Sequence, residues 1–407
     1  MTRSAIIRLI ALIVVFLGAV ALRANEVTLE VAAGGHDRSA APVQMQVPPA
    51  LRAATAWKLT DAASGEEVPV QLLPGKPPTV VWMVSALPSG ETRRYRLTAA
   101  DANAGGEPKV TCTDDGTRLT FEVRGRHVLS YNHAVQPAPE GIDPVYAKSG
   151  FIHPARTPQG RLVTDDFPPD HAHQHGVFFA WVNTTFEGRR VDFWNQAKGS
   201  GSVEHVEVLE TTSGPVFAQF KVTLRHTDLT APGDGKAVLE ETWTVRAYDS
   251  SEVFLVDLVS QQRCVADTPL RVNDYHYGGM GLRGNRGWTE PSESGFLTST
   301  GRKRADGNHT RARWVIAHGP IDGAPAAVAV LGHPGNFRAP QTVRLHPRMP
   351  YFCFAPMVLG AFEIAPGESF ISRYRYAAFD GEPNASTADR LWSDYADPPT
   401  VRVVVSK

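Results

Sequence analysis

The periodicity of this chain constrains its fold more than any other feature. From Asn25 onward, apolar and polar residues alternate in short runs such as Val27-Thr28-Leu29-Glu30-Val31, Val43-Gln44-Met45-Gln46-Val47 and Val80-Val81-Trp82-Met83-Val84. A period of two sends successive side chains to opposite faces, which is the pattern of a strand with one buried face. A helical stretch is expected only near Ala388 to Tyr395. Turn clusters such as Ser64-Gly65 and Pro88-Ser89-Gly90 punctuate the runs, and 35 glycines and 31 prolines keep long helices from forming. The chain therefore reads as all-β.

Two units follow from the spacing of these runs. Together with Val68-Pro69-Val70-Gln71-Leu72 and Tyr95-Arg96-Leu97-Thr98, the first segments predict a small immunoglobulin-like β-sandwich over residues 25–104. Asp101-Ala102-Asn103-Ala104-Gly105-Gly106-Glu107-Pro108 reads as a linker. Strands then recur at Arg118–Val123, Val203–Leu209, Val216–Leu224, Ala237–Ala247, Val253–Ser260, Arg313–His318, Ala326–Leu331 and Ser369–Ala377. Residues 105–395 are thus expected to form a large antiparallel structure of two stacked sheets, followed by a C-terminal tail over 396–407.

The N-terminus carries Arg3 and Arg8, then the uncharged run Leu9 to Leu22 with small residues at Ala19, Ala21 and Ala24. The run is shorter than the roughly 20 residues of a membrane helix and fits a cleaved export signal over residues 1–24. The mature protein is expected to be periplasmic or secreted, with no membrane association after cleavage. The 41 basic and 42 acidic side chains are interspersed, which argues against a nucleic-acid partner. Three cysteines, Cys112, Cys264 and Cys353, form neither a disulfide framework nor a thiolate zinc motif. The sequence leaves the oligomeric state open.

Chemistry concentrates in a few places. Asp170-His171-Ala172-His173-Gln174-His175-Gly176 places three imidazoles at the lip of the apolar run Val177-Phe178-Phe179-Ala180-Trp181-Val182. Imidazole is the side chain best suited to proton transfer or metal ligation near neutral pH. In an extended strand, His171 and His173 would share a face about 7 Å apart, close enough for one divalent metal given a third ligand from elsewhere. Three readings stay open for this cluster: satisfied loop groups, catalytic or polar ligand contacts, and a metal site. In Asn273-Asp274-Tyr275-His276-Tyr277-Gly278-Gly279-Met280-Gly281-Leu282-Arg283, alternation pairs Asp274 with His276 and Tyr275 with Tyr277. Aromatic rings with polar tips suit the mixed surface of a sugar, although ordinary tyrosine packing fits as well. Glu241 and Asp257 fall in the apolar register of their strands, which requires a partner or a wet cleft. Further candidates are His153 in Gly150–Arg156, Trp194 in Asp192-Phe193-Trp194-Asn195, and Asn336 and Arg338 in Gly332–Pro340. No Gly-rich phosphate loop, nucleophile elbow or H-E-x-x-H helix occurs.

In this order, Ser149–Pro154, Asp170–Gly176, Asp192–Asn195, Tyr277–Arg283 and His333–Arg338 resemble the family catalogued as "methane oxygenase PmoA", also treated as a domain of unknown function. The resemblance covers roughly Lys109 to Asp380. It implies an exported bacterial protein, often encoded beside carbohydrate-utilisation genes, with a galactose-mutarotase-like supersandwich fold. The family pattern usually has Pro where Ala172 stands, often Arg at His175, and Asp at Gly332. His171 and His173 are therefore the stronger of the cluster's three histidines. The methane-oxygenase label fits poorly, because the chain has no membrane-spanning run beyond its N-terminal one.

Together these features and the resemblance lead to an exported carbohydrate-active protein acting on a sugar or uronate as a lyase, epimerase or hydrolase. In that expectation His171, His173, His276, Glu241 and Asp257 supply acid–base groups. Tyr275, Tyr277, Arg283, Asn336, Arg338, His153, Trp194 and His175 contact the substrate, with Arg283 steadying a carboxylate or enolate-like oxygen. No organic cofactor is expected, and a divalent metal on His171 and His173 stays open. The alternative is a non-catalytic glycan-binding protein using the same cleft, with Trp181 and Trp194 contributing.

Overall fold

The computed structural model describes residues 26–73, 75–100, 107–289 and 293–404. The expected export signal, and most of the expected linker, lie outside the described residues. Alternation builds what it predicts: an all-β molecule of antiparallel sheets, with a small N-terminal sandwich followed by a large supersandwich.

The small sandwich stacks a sheet containing Glu26–Ala32, Thr92–Ala100 and Ala56–Asp61 on one containing Ala41–Gln46, Thr79–Val84 and Val70–Leu73. Leu29, Val31, Leu59, Trp82 and Leu97 fill the space between them. Two expectations change here. The run Val68 to Leu72 is not one strand: Glu67–Val68 lies in the first sheet and Val70–Leu73 in the second. The break falls at Pro69, which has no N–H to give a ladder. The segment after 396 is no free tail either. Thr400–Val404 pairs antiparallel with Glu26–Ala32, so the two ends of the described chain close one sheet.

The supersandwich stacks two eight-stranded sheets. One runs, in spatial order, Val343–Leu345, Tyr351–Phe354, Gly279–Arg283, Val177–Ala180, Phe151–Ala155, Arg126–Asn132, Arg118–Val123 and Val110–Asp114. The facing sheet is built on long strands, among them Phe217–Asp228, Lys236–Tyr248, Phe254–Cys264 and Ser369–Asp380. Phe121 packs on Phe220, Tyr131 on Trp243 and Phe354 on Tyr374 across the gap. Trp181 belongs to this core: it is fully buried and donates to Gln262 Oε1 at 2.7 Å. It is therefore no sugar-stacking surface.

A third apolar cluster joins the two units. Val81 meets Phe217, Tyr248, Trp314 and Phe379, along with Ala388 and Leu391 from the helix Ala385–Ala396. That helix matches the one expected from sequence, and its first turn is capped by the Asn384 side chain.

Candidate functional site

Alternation fixes where a site can sit. In the first large sheet, Ile152, Val177, Met280, Leu282 and Phe352 belong to the core between the sheets. In the paired strands, Phe178, Gly281 and Cys353 lie side by side on the opposite face, as do Arg283 and Tyr351. A Cβ on Gly281 would meet the Trp194 ring at 2.9 Å, so glycine is what lets the indole lie on the sheet. Trp194 then packs against Phe178 at 4.4 Å, Tyr277 at 5.6 Å and Tyr351 at 5.8 Å between ring centroids. These rings form a packed aromatic floor on the sheet face turned away from the facing sheet, but Phe178, Trp194 and Tyr351 are each only 2% exposed, so Trp194 is a buried support and not the substrate contact expected of it.

Two loops place imidazoles over it. The histidine loop is pinned at its neck, where Gly176 N–H donates to the Asp165 carbonyl and Asp165 N–H to that of Arg283. It ends at Gly176, with φ +45°, where any Cβ would lie 2.0 Å from the Ile152 carbonyl oxygen. The loop is a pair of turns, not an extended strand, because His171 N–H bonds back to Pro168 and Gln174 N–H to His171. Folding this way brings the rings of His171 and His173 to 5.6 Å. The second loop joins Val343–Leu345 to Tyr351–Phe354 and carries His346, 5.9 Å from His171 and 6.4 Å from Tyr351. Tyr146 borders His173 at 6.5 Å.

The electrostatics of the three imidazoles differ. Burial pushes His173 down to about 4, with the charges of His171, His175 and Arg283 adding to the effect. Burial, then Arg344, His171, Arg283 and Arg304, likewise bring His346 to about 4. His346 Nδ1 accepts the backbone N–H groups of Arg348 and Met349 at 3.2 and 3.0 Å, so its proton resides on Nε2. His171 Nδ1 lies 3.4 Å from Asp170 Oδ2. Both neutral rings are available near pH 7, His173 as acceptor and His346 as Nε2–H donor.

Arg283 serves both loops. Its buried guanidinium donates to Gln174 Oε1 at 2.9 Å in the histidine loop and reaches Met349 Sδ at 3.3 Å in the other. Asp165 and Asp170 each lie 3.6 Å away. Arg283 therefore acts as a positioning residue, where a substrate contact was expected.

Tyr275, His276 and Tyr277 do not alternate on a strand. They form a loop whose rings pack on one another at 4.4 to 5.1 Å. Tyr277 Oη accepts from Asn195 Nδ2, whose carboxylate partner Asp192 is also held by Lys198. This loop adjoins the floor through the Tyr277–Trp194 contact.

Other candidates are not brought to the cleft. Glu241 is fully buried between the large sheets, bound by His226 Nε2, Trp243 Nε1 and Ser260 Oγ at 2.7, 2.6 and 2.5 Å. No substrate reaches it there. Asp257 takes two bonds from Arg375 and one from Tyr248. Asn336 clamps the backbone N–H and carbonyl of Arg373, and Arg338 donates to the carbonyls of Pro356, Gly360 and Ala361. His175 is fully buried, bonded to Asp166 at 2.6 Å and packed between Phe151 and Phe167. It supports the loop from beneath. His153 pairs with Thr164 Oγ1 at 3.0 Å next to it.

His346, Arg344, Tyr351 and Tyr146 escaped the sequence reading. His346 is a single histidine between Leu345 and Pro347, and nothing local sets it apart. Sheet order alone carries it to His171. Among the described residues no group of three or more His, Cys, Asp and Glu side chains is placed to hold a metal ion. None of their helices is long and apolar enough to cross a membrane.

Residues 118–393, more than half of the chain, match the model of DUF6807, a family of unknown function. The chain belongs to that family. No curated protein matches it. Among solved structures it is similar to an alpha-mannosidase from Enterococcus faecalis V583, with TM-score 0.44, 10% identity, and coverage of 94% of this chain and 46% of that one. A heparan sulfate lyase from Pedobacter heparinus gives TM-score 0.35 and 11% identity, covering 70% of this chain and 39% of that one. A galactose mutarotase related enzyme from Lactobacillus acidophilus gives 0.30 and 11%, with 66% and 97% covered. The chain spans less than half the length of the mannosidase and lyase chains. Likeness at this level carries no argument about substrate or reaction.

Proposed function

We propose that this DUF6807 member is an exported carbohydrate-active enzyme whose cleft works on a sugar ring by imidazole acid–base chemistry. One observation carries the proposal: His171, His173 and His346 meet beside an aromatic floor, with His173 and His346 neutral down to about pH 4. His173 takes the proton, His346 Nε2–H supports the developing negative oxygen, and the part-exposed rings of Tyr275 and Tyr277 present surface to the sugar, with buried Trp194 and Tyr351 supporting them from beneath. Of the carboxylates around the cleft, Asp165 is engaged by Arg286 and Asp192 by Lys198 and Asn195. That leaves Asp170, exposed and 3.4 Å from His171, as a single accessible carboxylate in the histidine loop, where glycoside hydrolysis uses a pair, which favours the proton transfers of a lyase or epimerase. The proposal takes nothing from the methane-oxygenase label of the resembled family.

The test is a thermal-shift screen of signal-less protein against neutral saccharides and uronates, followed by turnover of whatever binds. His173→Gln should lower turnover by about a hundredfold or more while binding persists. Unchanged turnover in both His173→Gln and His346→Gln would overturn the enzyme reading. A saccharide that binds and is never turned over selects a glycan-binding protein instead, for which the packed rings of Tyr275, His276 and Tyr277 are the supporting observation.

A further inference from the structure

Beside the histidine cleft lies a second depression of about 590 Å³, lined by Lys303, Arg304, Asn308, His318 and Arg344, with Glu293 at its rim. Its three permanent cations form no ion pair with a described carboxylate. Arg304 instead donates to the carbonyls of His346 and Met349 at 2.7 and 2.6 Å and lies over the Phe296 ring at 4.5 Å. Arg344 donates to the neutral Asn308 Oδ1 at 3.2 Å, and Lys303 is exposed. Glu293 lines the depression and Glu382 acts on His318, but no described carboxylate bonds to Arg304 or Arg344, and an entering anion would meet their partly buried charge directly. The depression adjoins the histidine site: Arg304 holds the backbone of the His346 loop, and Arg344 lies two residues before His346 at the end of the strand Val343–Leu345.

We propose that this basic depression is a subsite for the carboxylate or sulfate of a saccharide whose neighbouring unit lies over His171, His173 and His346. The assignment rests on the carbohydrate reading above and narrows it to acidic glycans. A solvent-facing cluster of lysines would be an unspecific field, but here two guanidinium groups are fixed by neutral partners and keep donors free for an oxyanion. The anion also has a remote readout. Arg344 and Arg304 contribute to holding His346 low, so a bound anion between them raises the His346 pKa.

Titration calorimetry at low ionic strength tests this with five probes: tri-galacturonate, a sulfated galactose trisaccharide, neutral galactotriose, inorganic sulfate and duplex DNA. Wild type should bind at least one acidic trisaccharide about tenfold or more tightly than galactotriose. The double variant Lys303→Met/Arg344→Met should lose that preference and keep its affinity for galactotriose, whereas His173→Gln should keep the preference. The exposed Lys303→Met alone, with little consequence for folding, should lose part of it. Which acidic probe binds separates a uronate from a sulfate ester. Equal binding of neutral and acidic sugars, or a preference that survives the double variant, would overturn the subsite. Sulfate binding that needs Lys303 and Arg344, with no saccharide bound, would support the anion site and overturn the carbohydrate reading. Binding of no probe overturns both, and duplex DNA binding more tightly than any saccharide overturns the assignment to glycans.

Discussion

Two histidine sites of the molecule differ in what surrounds the rings: one lies in the core between the two large sheets, and the other on the outer face of the sheet that carries Val177–Ala180 and Gly279–Arg283. Inside the sandwich, His226 and Glu241 are wholly buried, and Trp243 and Ser260 complete the set of partners around Glu241. On the outer face, His173 and His346 are only partly buried, and no described carboxylate is bonded to either ring. The first arrangement compensates desolvation with direct bonds and leaves no room for a reactant. The second leaves imidazoles neutral and open to whatever enters. Residue type does not separate structure from chemistry here; the supply of partners does.

The sharpest way to break this contrast is to exchange the costs. Glu241→Leu strands His226, the Trp243 N–H and the Ser260 hydroxyl in the core, and should reduce stability by about 3–5 kcal/mol in urea unfolding. His173→Gln should change stability by under about 1 kcal/mol, because the ring is part-exposed and bonded to no described residue. Its effect should fall on turnover instead, by about a hundredfold or more. If the core variant is stable and the cleft variant unfolds, the roles drawn for the two regions are reversed.

Much of this was legible in the sequence, and what was not has a physical cause. Period-two alternation located the long strands, and the helix near Ala388 was visible as well. The inward direction of Glu241 was also legible, since it sits in the apolar register of its strand, whereas Asp257 lies on the face opposite Phe254, Val256 and Leu258 and is only half-buried. Their partners were not, because His226 and Arg375 arrive from neighbouring strands through pairing that the sequence does not state. The same holds for the cleft. His171 and His173 announce themselves as a cluster, whereas His346 and Arg344 join them only through the order of strands in the sheet. Asn336 and Arg338 had the right chemistry for a binding loop, yet their polar groups are consumed by backbone carbonyls and amides.

A smaller effect probes the support beneath the cleft. Asp166→Ala removes the carboxylate bonded to buried His175 and should cost about 1–3 kcal/mol, with the histidine loop loosened above it. Urea midpoints give the stability, and weaker saccharide binding in the same variant would show that His175 positions the loop. Unchanged binding would make His175 a local staple only.

The pH dependence gives the mildest and most diagnostic signal. His173 and His346 have folded values near 4, below the ordinary histidine value of 6.5, so between about pH 6.5 and 4 the unfolded chain binds more protons than the folded one. Stability contributed by these groups is therefore complete above about pH 6.5 and declines as pH falls toward about 4. His173→Gln should make that decline shallower. In turnover, an unprotonated His173 predicts an acid limb near pH 4 for the free enzyme, moving upward once an anionic saccharide offsets the charge of Arg283, which helps to hold His173 low. In kcat/KM, which reports the free enzyme, an acid limb near 6.5 would mean that the outer imidazoles titrate as ordinary solvated histidines. Burial would then not be what holds them neutral, and the contrast with the His226–Glu241 pair would reduce to exposure alone.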